Sequence, residues 1–292
     1  MLTLALATPA RAQAAPGCPP AGWDRAALES LKAREWAIAD DRARNAFALA
    51  FTACLAAPEP ALRDGLAFEG LQHLLRTRRL TDDTMRALQD DLERRLVAAE
   101  GAGFERPFAA LVLAEVARAD RVTPYLTADR RERLVAAGTA FLRGVRDYRG
   151  FDDRDGWRHG VAHGADLLLQ LSLNPAFGTA DLARLREAIA SQVAPSDHAY
   201  VFGESERLLA PLLFIARRRA FSADDWSAWF ATLASPAPFP SWDGTFASAA
   251  RLRRRHNLTL FLTQAALTAR QSDDTADDVL IAGAEAALAQ LP

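Results

Sequence analysis

Two histidines, His159 and His163, stand four residues apart in the stretch DRDGWRHGVAHGADLLLQL, and Asp166 follows three residues later. On a helix turning about 100° per residue, these three and Gln170 fall on one stripe. Two neutral imidazoles at that spacing can hold a divalent metal, with Asp166 as a third ligand or as the carboxylate that fixes an imidazole tautomer. The same side chains can act as acid and base on a polar ligand. They can equally cross-link helices by hydrogen bonds, with Trp157 as a packing anchor. The residues leave all three uses open. HxxxH lacks the glutamate of HExxH, the general base of metalloproteases, so a peptidase is disfavoured. A complete metal site would need a further ligand from elsewhere in the chain.

Two other polar clusters could supply it. In YVFGESERLLAPLL, Glu204 and Arg207 are spaced to pair along one helix face. Glu204 or Glu206, turned towards the histidine stripe, could complete a metal site or act as general base. In RLRRRHNLTLFLTQ, four arginines lie between Arg251 and Arg255. They read as a solvated face or an anion-binding patch, and without interleaved aromatic residues they are no RNA-binding signature. Asn257 follows, and its amide can bridge helices by donating and accepting. His73 and His198 have no partner spacing and are expected to do local structural work.

The candidate catalytic side chains are therefore His159, His163, Asp166 and Glu204. Trp157, Glu206, Arg207 and Asn257 are candidate ligand contacts. A metal, if present, would sit on His159, His163 and Asp166, although no cofactor is the first expectation. The expected partner is a small polar ligand or another protein. There is no GxSxG elbow, no phosphate-binding P-loop and no strand-linked GxGxxG, which disfavours α/β-hydrolases, NTPases and Rossmann oxidoreductases.

The elements that must position these residues are helices. Apolar residues recur at helical spacing from Trp23 onward. Asp24 is expected to cap a helix through about residue 39, Asp41 leads a second, and a third runs from about 60 to 76. Thr81 caps a fourth, with acids in its first turn where the helix dipole favours them. Further helices are expected near 104–119, 127–147, 179–193, 203–219, 222–234, 245–270 and 274–290. Gly156 and Asp155 are expected to start the helix that carries the histidines, with Val161, Ala165 and Leu168 facing the core and Leu167 and Leu169 widening its apolar sides. Strand-like alternation is nearly absent. The predicted fold is all-α: stacked helical hairpins in a degenerate HEAT-like, α-α superhelical array, since hairpins recur about every 40 residues without clear self-similarity. Ser235 to Trp242 reads as a rigid loop.

The chain has 292 residues, half of them hydrophobic, and a formal net charge of −2. That is enough for a sizeable core and gives no broad basic surface for nucleic acid. Residues 23–292 are read as one helical domain behind a signal-like tail, 1–22. Leu2 to Ala7 is a short apolar run, and Ala12-Gln13-Ala14 fits a signal-peptidase site, although a basic start is missing. Periplasmic or secreted placement is expected from it, and cytoplasmic if the segment is only a tail. No run reaches the ~20 apolar residues of a membrane span. Cys18 and Cys54 could pair in an oxidising compartment, but the place of Cys18 in the tail counts against it.

Taken in order, RDYRGFDDRDGWRHGVAHGADLL, FGESERLLA and RHNLTLFL resemble the bacterial domain-of-unknown-function family 2785 (DUF2785). Members carry an RG turn, a GWxHxxAHxxDLL helix, a GEDERL-type helix start and a late HN before an apolar helix. PALRDGLAFEGLQ and FERPFAALVLAEVARAD also resemble earlier family segments, so the likeness covers roughly residues 25 to 270. Arg149, Gly150, Gly156, Trp157, His159, His163, Asp166, Glu204, Glu206, Arg207, Leu208 and Asn257 match the motif positions. Ser205 stands where the family has an acid, which weakens a multi-carboxylate metal site. The resemblance implies an all-helical fold and no particular activity.

Overall fold

Capping side chains set where many of the helices begin. Asp24, Asp40, Thr81, Thr127, Ser222 and Ser248 each accept from the backbone N–H three residues on, satisfying a donor that a helix start leaves free. The structure is a computed structural model that describes residues 15–99 and 101–292. The signal-like run Leu2 to Ala7 and the Ala12-Gln13-Ala14 site lie outside the described residues.

The chain is all-α. The first helices are α1 (Arg25–Ala33) and α2 (Asp41–Phe51), and α3 (Pro60–Leu62) runs through a π-helical turn, Arg63–Phe68, into α4 (Glu69–Arg76). Next come α5 (Asp82–Leu96), α6 (Glu105–Val122), α7 (Ala128–Gly144) and a two-stranded hairpin of β1 (Phe151–Asp152) and β2 (Gly156–Trp157). The remainder is α8 (Gly160–Ser172), α9 (Thr179–Val193), α10 (Glu204–Arg217), α11 (Ala223–Ala234), α12 (Ala249–Gln271) and α13 (Ile281–Ala289). The helices α4, α6, α8, α10 and α12 are neighbours in that order, while α5 packs on α6, α7 on α8 and α9, and α13 on α11 and α12. The segment Ser235 to Trp242 is a loop between helices, as its prolines predict.

Three local expectations are corrected. Helix α1 ends at Ala33, not near residue 39, because Glu35 and Trp36 turn to positive φ and Trp36 is driven into the core against Phe51. The histidine helix begins at Gly160, not Gly156. Before it, Phe151 pairs with Trp157 and Asp152 with Gly156 in an antiparallel hairpin. Asp152 caps that turn by accepting from the N–H groups of Arg154 and Asp155 at 3.0 and 2.9 Å, and Gly156 supplies its positive φ of 72°. Asp155 caps no helix: its carboxylate pairs with Arg154 and Arg158.

The third correction concerns the cysteines. Cys18 and Cys54 form a disulfide, with Cα atoms 5.0 Å apart. Ala15 and Pro20 are buried on either side of Cys18.

The central helix of the row is α8, packed between α6 and α10. Val161, Ala162, Ala165, Leu167, Leu168 and Leu171 are all buried. Each buried leucine contributes about 1.5–3 kcal/mol relative to exposure. A helix apolar around most of its circumference must turn its few polar side chains towards other helices or a cleft. Its only partly exposed residues between Val161 and Leu171 are Asp166, Leu169 and Gln170.

Candidate functional site

The hairpin and the first turn of α8 place the two histidines differently from a helical wheel. The ladder of β1 and β2 continues outward, with Arg158 N–H donating to the Gly150 carbonyl at 2.9 Å and His159 N–H to the Arg149 carbonyl at 3.0 Å. His159 is the residue where strand becomes helix. It takes a left-handed conformation, φ 55° and ψ 42°, which costs a non-glycine residue on the order of 1–2 kcal/mol. Its ring therefore leaves the wheel, while His163 stays on it, one turn into α8. The ring centroids are 5.9 Å apart and the planes cross at 64°.

Both imidazoles are buried among rings. Trp157 stacks on His159 at 4.6 Å, and Phe108 of α6 meets His163 edge-on at 5.0 Å. Burial, aided by the Arg207 charge, lowers the His159 pKa to about 4, against a contrary pull from the Phe202 carbonyl. Burial, then His159 and Arg207, lowers His163 to about 3, against the Pro107 carbonyl. Both rings are neutral at pH 7. His159 Nε2 and His163 Nδ1 are buried without a hydrogen-bond partner among the described residues.

Glu204 arrives from the start of α10 and is only 2% exposed. One carboxylate oxygen accepts from the Phe202 N–H at 2.9 Å, and the other lies 3.8 Å from His159 Nε2. The expected Glu204–Arg207 pair is not the one made. Arg207 crosses to α8 and grips Asp166 with both sides of its guanidinium, Nε donating to Oδ1 at 2.8 Å and Nη2 to Oδ2. Burial raises the Asp166 pKa and this arginine opposes it. Gln170 completes the stripe by accepting from Arg121 of α6 at 3.2 Å.

The structure thus gathers Trp157, His159, His163, Asp166, Glu204 and Arg207, drawn from the hairpin, α8 and α10. Glu206 points into solvent. Asn257 lies elsewhere, fully buried on α12, where its amide accepts from Tyr200 N–H at 2.9 Å and donates to the Pro195 and His198 carbonyls at 3.1 and 2.9 Å. That amide pins the loop before α10 and has no hydrogen left to offer. Among the described residues, no group of three or more His, Cys, Asp or Glu side chains is placed to hold a metal ion. The geometry gives a reason: Asp166 is turned to Arg207, and His159 has left the helical face of His163. Of the arginine run, Arg254 donates to the Ala194, Leu233 and Ser235 carbonyls, Arg251 to Ser241 and Arg255 to Pro292. Those three close chain ends and loops, while Arg253 is exposed.

One cavity adjoins the hairpin and another the first residue of α8. The first, of about 400 Å³, is lined by Tyr148, Arg149, Gly150, Phe151, Asp152, Arg154, Asp155, Arg158, His198 and Phe202. The second, of about 330 Å³, includes Arg106, Pro107, Phe141, Asp147 and Gly160. None of His159, His163, Asp166, Glu204 and Asn257 lines either one, but their neighbours Phe202 and Gly160 do.

Sequence reasoning missed Phe151, Phe202 and Arg63. Arg63, in the π-helical turn, is fully buried with its guanidinium 4.1 Å from the Phe104 ring and 4.8 Å from Phe108. It donates to the Ala57 and Pro58 carbonyls and, at 2.9 Å, to that of Asp155 in the hairpin. The one signal for it was the RD of PALRDG, and nothing in that spacing points to residue 155.

Fold and site define an all-α protein whose central buried helix begins at a strained histidine packed against a buried glutamate. The chain belongs to the family described as protein of unknown function (DUF2785), whose profile matches residues 97–267. All the gathered residues fall inside that match, and Cys18, Cys54 and Arg63 fall outside it. Neither a curated protein nor a solved structure matches the chain. No helix among the described residues is long and apolar enough to cross a membrane.

Proposed function

We propose that the hairpin, the start of α8 and the start of α10 form a site for a small polar ligand, with His159 and Glu204 as an acid–base pair. The carrying observation is the unpartnered, buried His159 Nε2 at 3.8 Å from a Glu204 oxygen. A buried polar atom without a partner costs on the order of 1–3 kcal/mol, and His159 carries backbone strain as well. Both costs make sense where a ligand supplies the missing partner. A hydroxyl or a water bridging imidazole and carboxylate from the side would donate to one of them. The neutral imidazole can then take that proton while the carboxylate beside it stabilises the imidazolium formed. Arg207, held by Asp166, is the cation whose charge acts on His159. Trp157 covers His159, so entry requires the Trp157 ring to move aside. The reaction class this supports best is hydrolysis of a polar substrate without a metal.

The second reading is that these side chains hold the helices in register in a helical interaction module. It is favoured by the two-sided Asp166–Arg207 pair, whose groups already satisfy one another. One experiment separates the two. Wild type, His159→Gln and Glu204→Gln are assayed against p-nitrophenyl esters, glycosides and phosphates, and their melting temperatures are recorded. The site reading expects turnover of one class, lowered by about 10²–10⁴-fold in both variants, with little change in melting. No turnover in wild type, together with a clear drop in melting temperature in both variants, sinks it in favour of the register reading.

Export to the periplasm or the medium is part of the proposal. The Cys18–Cys54 bond supports it, because structural disulfides form and persist in oxidising compartments.

A further inference from the structure

Phe151, Trp157 and Phe202 make one partly exposed aromatic cluster, with ring centroids 5.0 Å apart and planes at 58° for Phe151–Trp157, and 6.0 Å and 86° for Trp157–Phe202. They remain 43, 36 and 37% exposed, respectively, although large rings are ordinarily drawn inside. The backbone makes room for the Phe202 ring: a Cβ on Gly150 would overlap it, so only glycine lets that ring lie across the strand.

Phe151 and Phe202 also line the cavity of about 400 Å³, together with Arg149, Asp152, Arg154, Asp155, Arg158 and His198. Its charges are already balanced. Arg154 and Arg158 both pair with Asp155, Arg149 pairs with Asp147, and Asp152 in the lining supplies the third negative charge. What is unbalanced is hydrogen bonding: His198 Nε2 in the lining and His159 Nε2 under Trp157 are both buried without a partner among the described residues.

We infer that these exposed rings and this cavity bind a neutral saccharide, an inference that rests on the ligand-site reading above. A sugar ring has an apolar C–H face and a rim of hydroxyls. That face can stack on one exposed ring while a neighbouring ring meets its edge. Each hydroxyl both donates and accepts, so it can meet a carboxylate, a guanidinium or either tautomer of an imidazole. A phosphate or sulfate ester would find arginines already neutralised and aspartates alongside, which repel it. A protein partner would need about 800 Å² of its own surface covered, whereas the feature here is three rings at the lip of a concavity.

The test is isothermal titration of the full chain with maltohexaose, cellohexaose and an N-acetylglucosamine hexamer, and with a sulfated heparin hexasaccharide as the anionic comparator. At least one neutral hexamer is expected to saturate below about 10 mM. Its Kd should move less than about twofold between low and high salt, because no ionic contact is screened. Binding should weaken roughly tenfold in Phe202→Ala, through the lost ring contact. Arg154→Ala, at a side chain 86% exposed and so tolerant of change, should also weaken it. Failure of all three neutral hexamers, or undiminished binding in both variants, overturns the saccharide inference. Salt-sensitive binding of the sulfated probe alone overturns it too, yet leaves the ligand site standing. The p-nitrophenyl panel with its melting temperatures decides the His159–Glu204 site separately, whether or not these hexamers bind.

Discussion

His159 and His163 show how position in the fold sets the chemistry of a residue type. Both are histidines on one short motif, yet neither is poised near neutrality, because burial among Phe108, Trp157 and their neighbours disfavours the charged ring. Their depressed values carry a stability consequence. The unfolded chain takes up these protons near pH 6.5, and the folded chain only near 4 and 3. The stabilisation is therefore present above 6.5 and is lost as pH falls from there towards 4. Each ring should cost roughly 2 kcal/mol between pH 6.5 and 5. Asp166, raised by burial, works in the opposite sense once pH falls to where it protonates. Urea titrations at several pH values should show the wild-type loss, and His163→Gln should flatten it. An unchanged slope in that variant would mean that His163 is already charged in the folded chain. The residue types and spacing were legible in the sequence. The left-handed turn at His159 was not, because it arises from strand pairing with Arg149.

At the scale of elements, the hairpin between α7 and α8 matters most, and it was the element the sequence concealed. DDRDGW reads as a helix start because Asp and Gly are shared by caps and turns. The decision came from pairing Phe151 with Trp157 and from Arg63, some ninety residues earlier, binding the Asp155 carbonyl at 2.9 Å. The helices themselves were easier. Caps such as Thr81, Thr127 and Ser222 are local, so α5, α7 and α11 begin where the sequence predicts. Gly150→Ala tests the hairpin. Its Cβ meets the Phe202 ring, and such overpacking typically costs about 1–3 kcal/mol. Hydrogen exchange should quicken at Arg158 and His159, whose N–H groups bond to Gly150 and Arg149, while α5 and α6 keep their protection. Unchanged exchange there would show that the ring yields without disturbing the strand.

At the scale of the whole molecule, the disulfide ties the residues before α1 to the segment after α2, closing a loop of 36 residues in sequence separation. The loop-entropy relation gives about 4 kcal/mol for a bridge of that span. Reduction, or Cys18→Ser, should lower stability by up to that amount and release protection in residues 15–33. Because α8 is held by α6 and α10 rather than by the N-terminal segment, its exchange should hardly change. Equal loss in α8 would show that the N-terminal segment and the site unfold as one unit.

What the sequence determined by itself was whatever depends on near neighbours along the chain: an all-α fold, most helix boundaries, the apolar faces, and membership of one motif by Trp157, His159, His163, Asp166, Glu204 and Arg207. What only tertiary structure decided were the partners. Arg207 took Asp166 instead of Glu204, Asn257 was spent on the loop before α10, Cys18 reached Cys54, and Phe151 and Phe202 came together beside Trp157. Helix propensity and capping act over three or four residues, so they are written locally. A hydrogen bond or ion pair between helices is chosen by which surfaces meet when the apolar faces are buried, and no spacing along the chain records that choice.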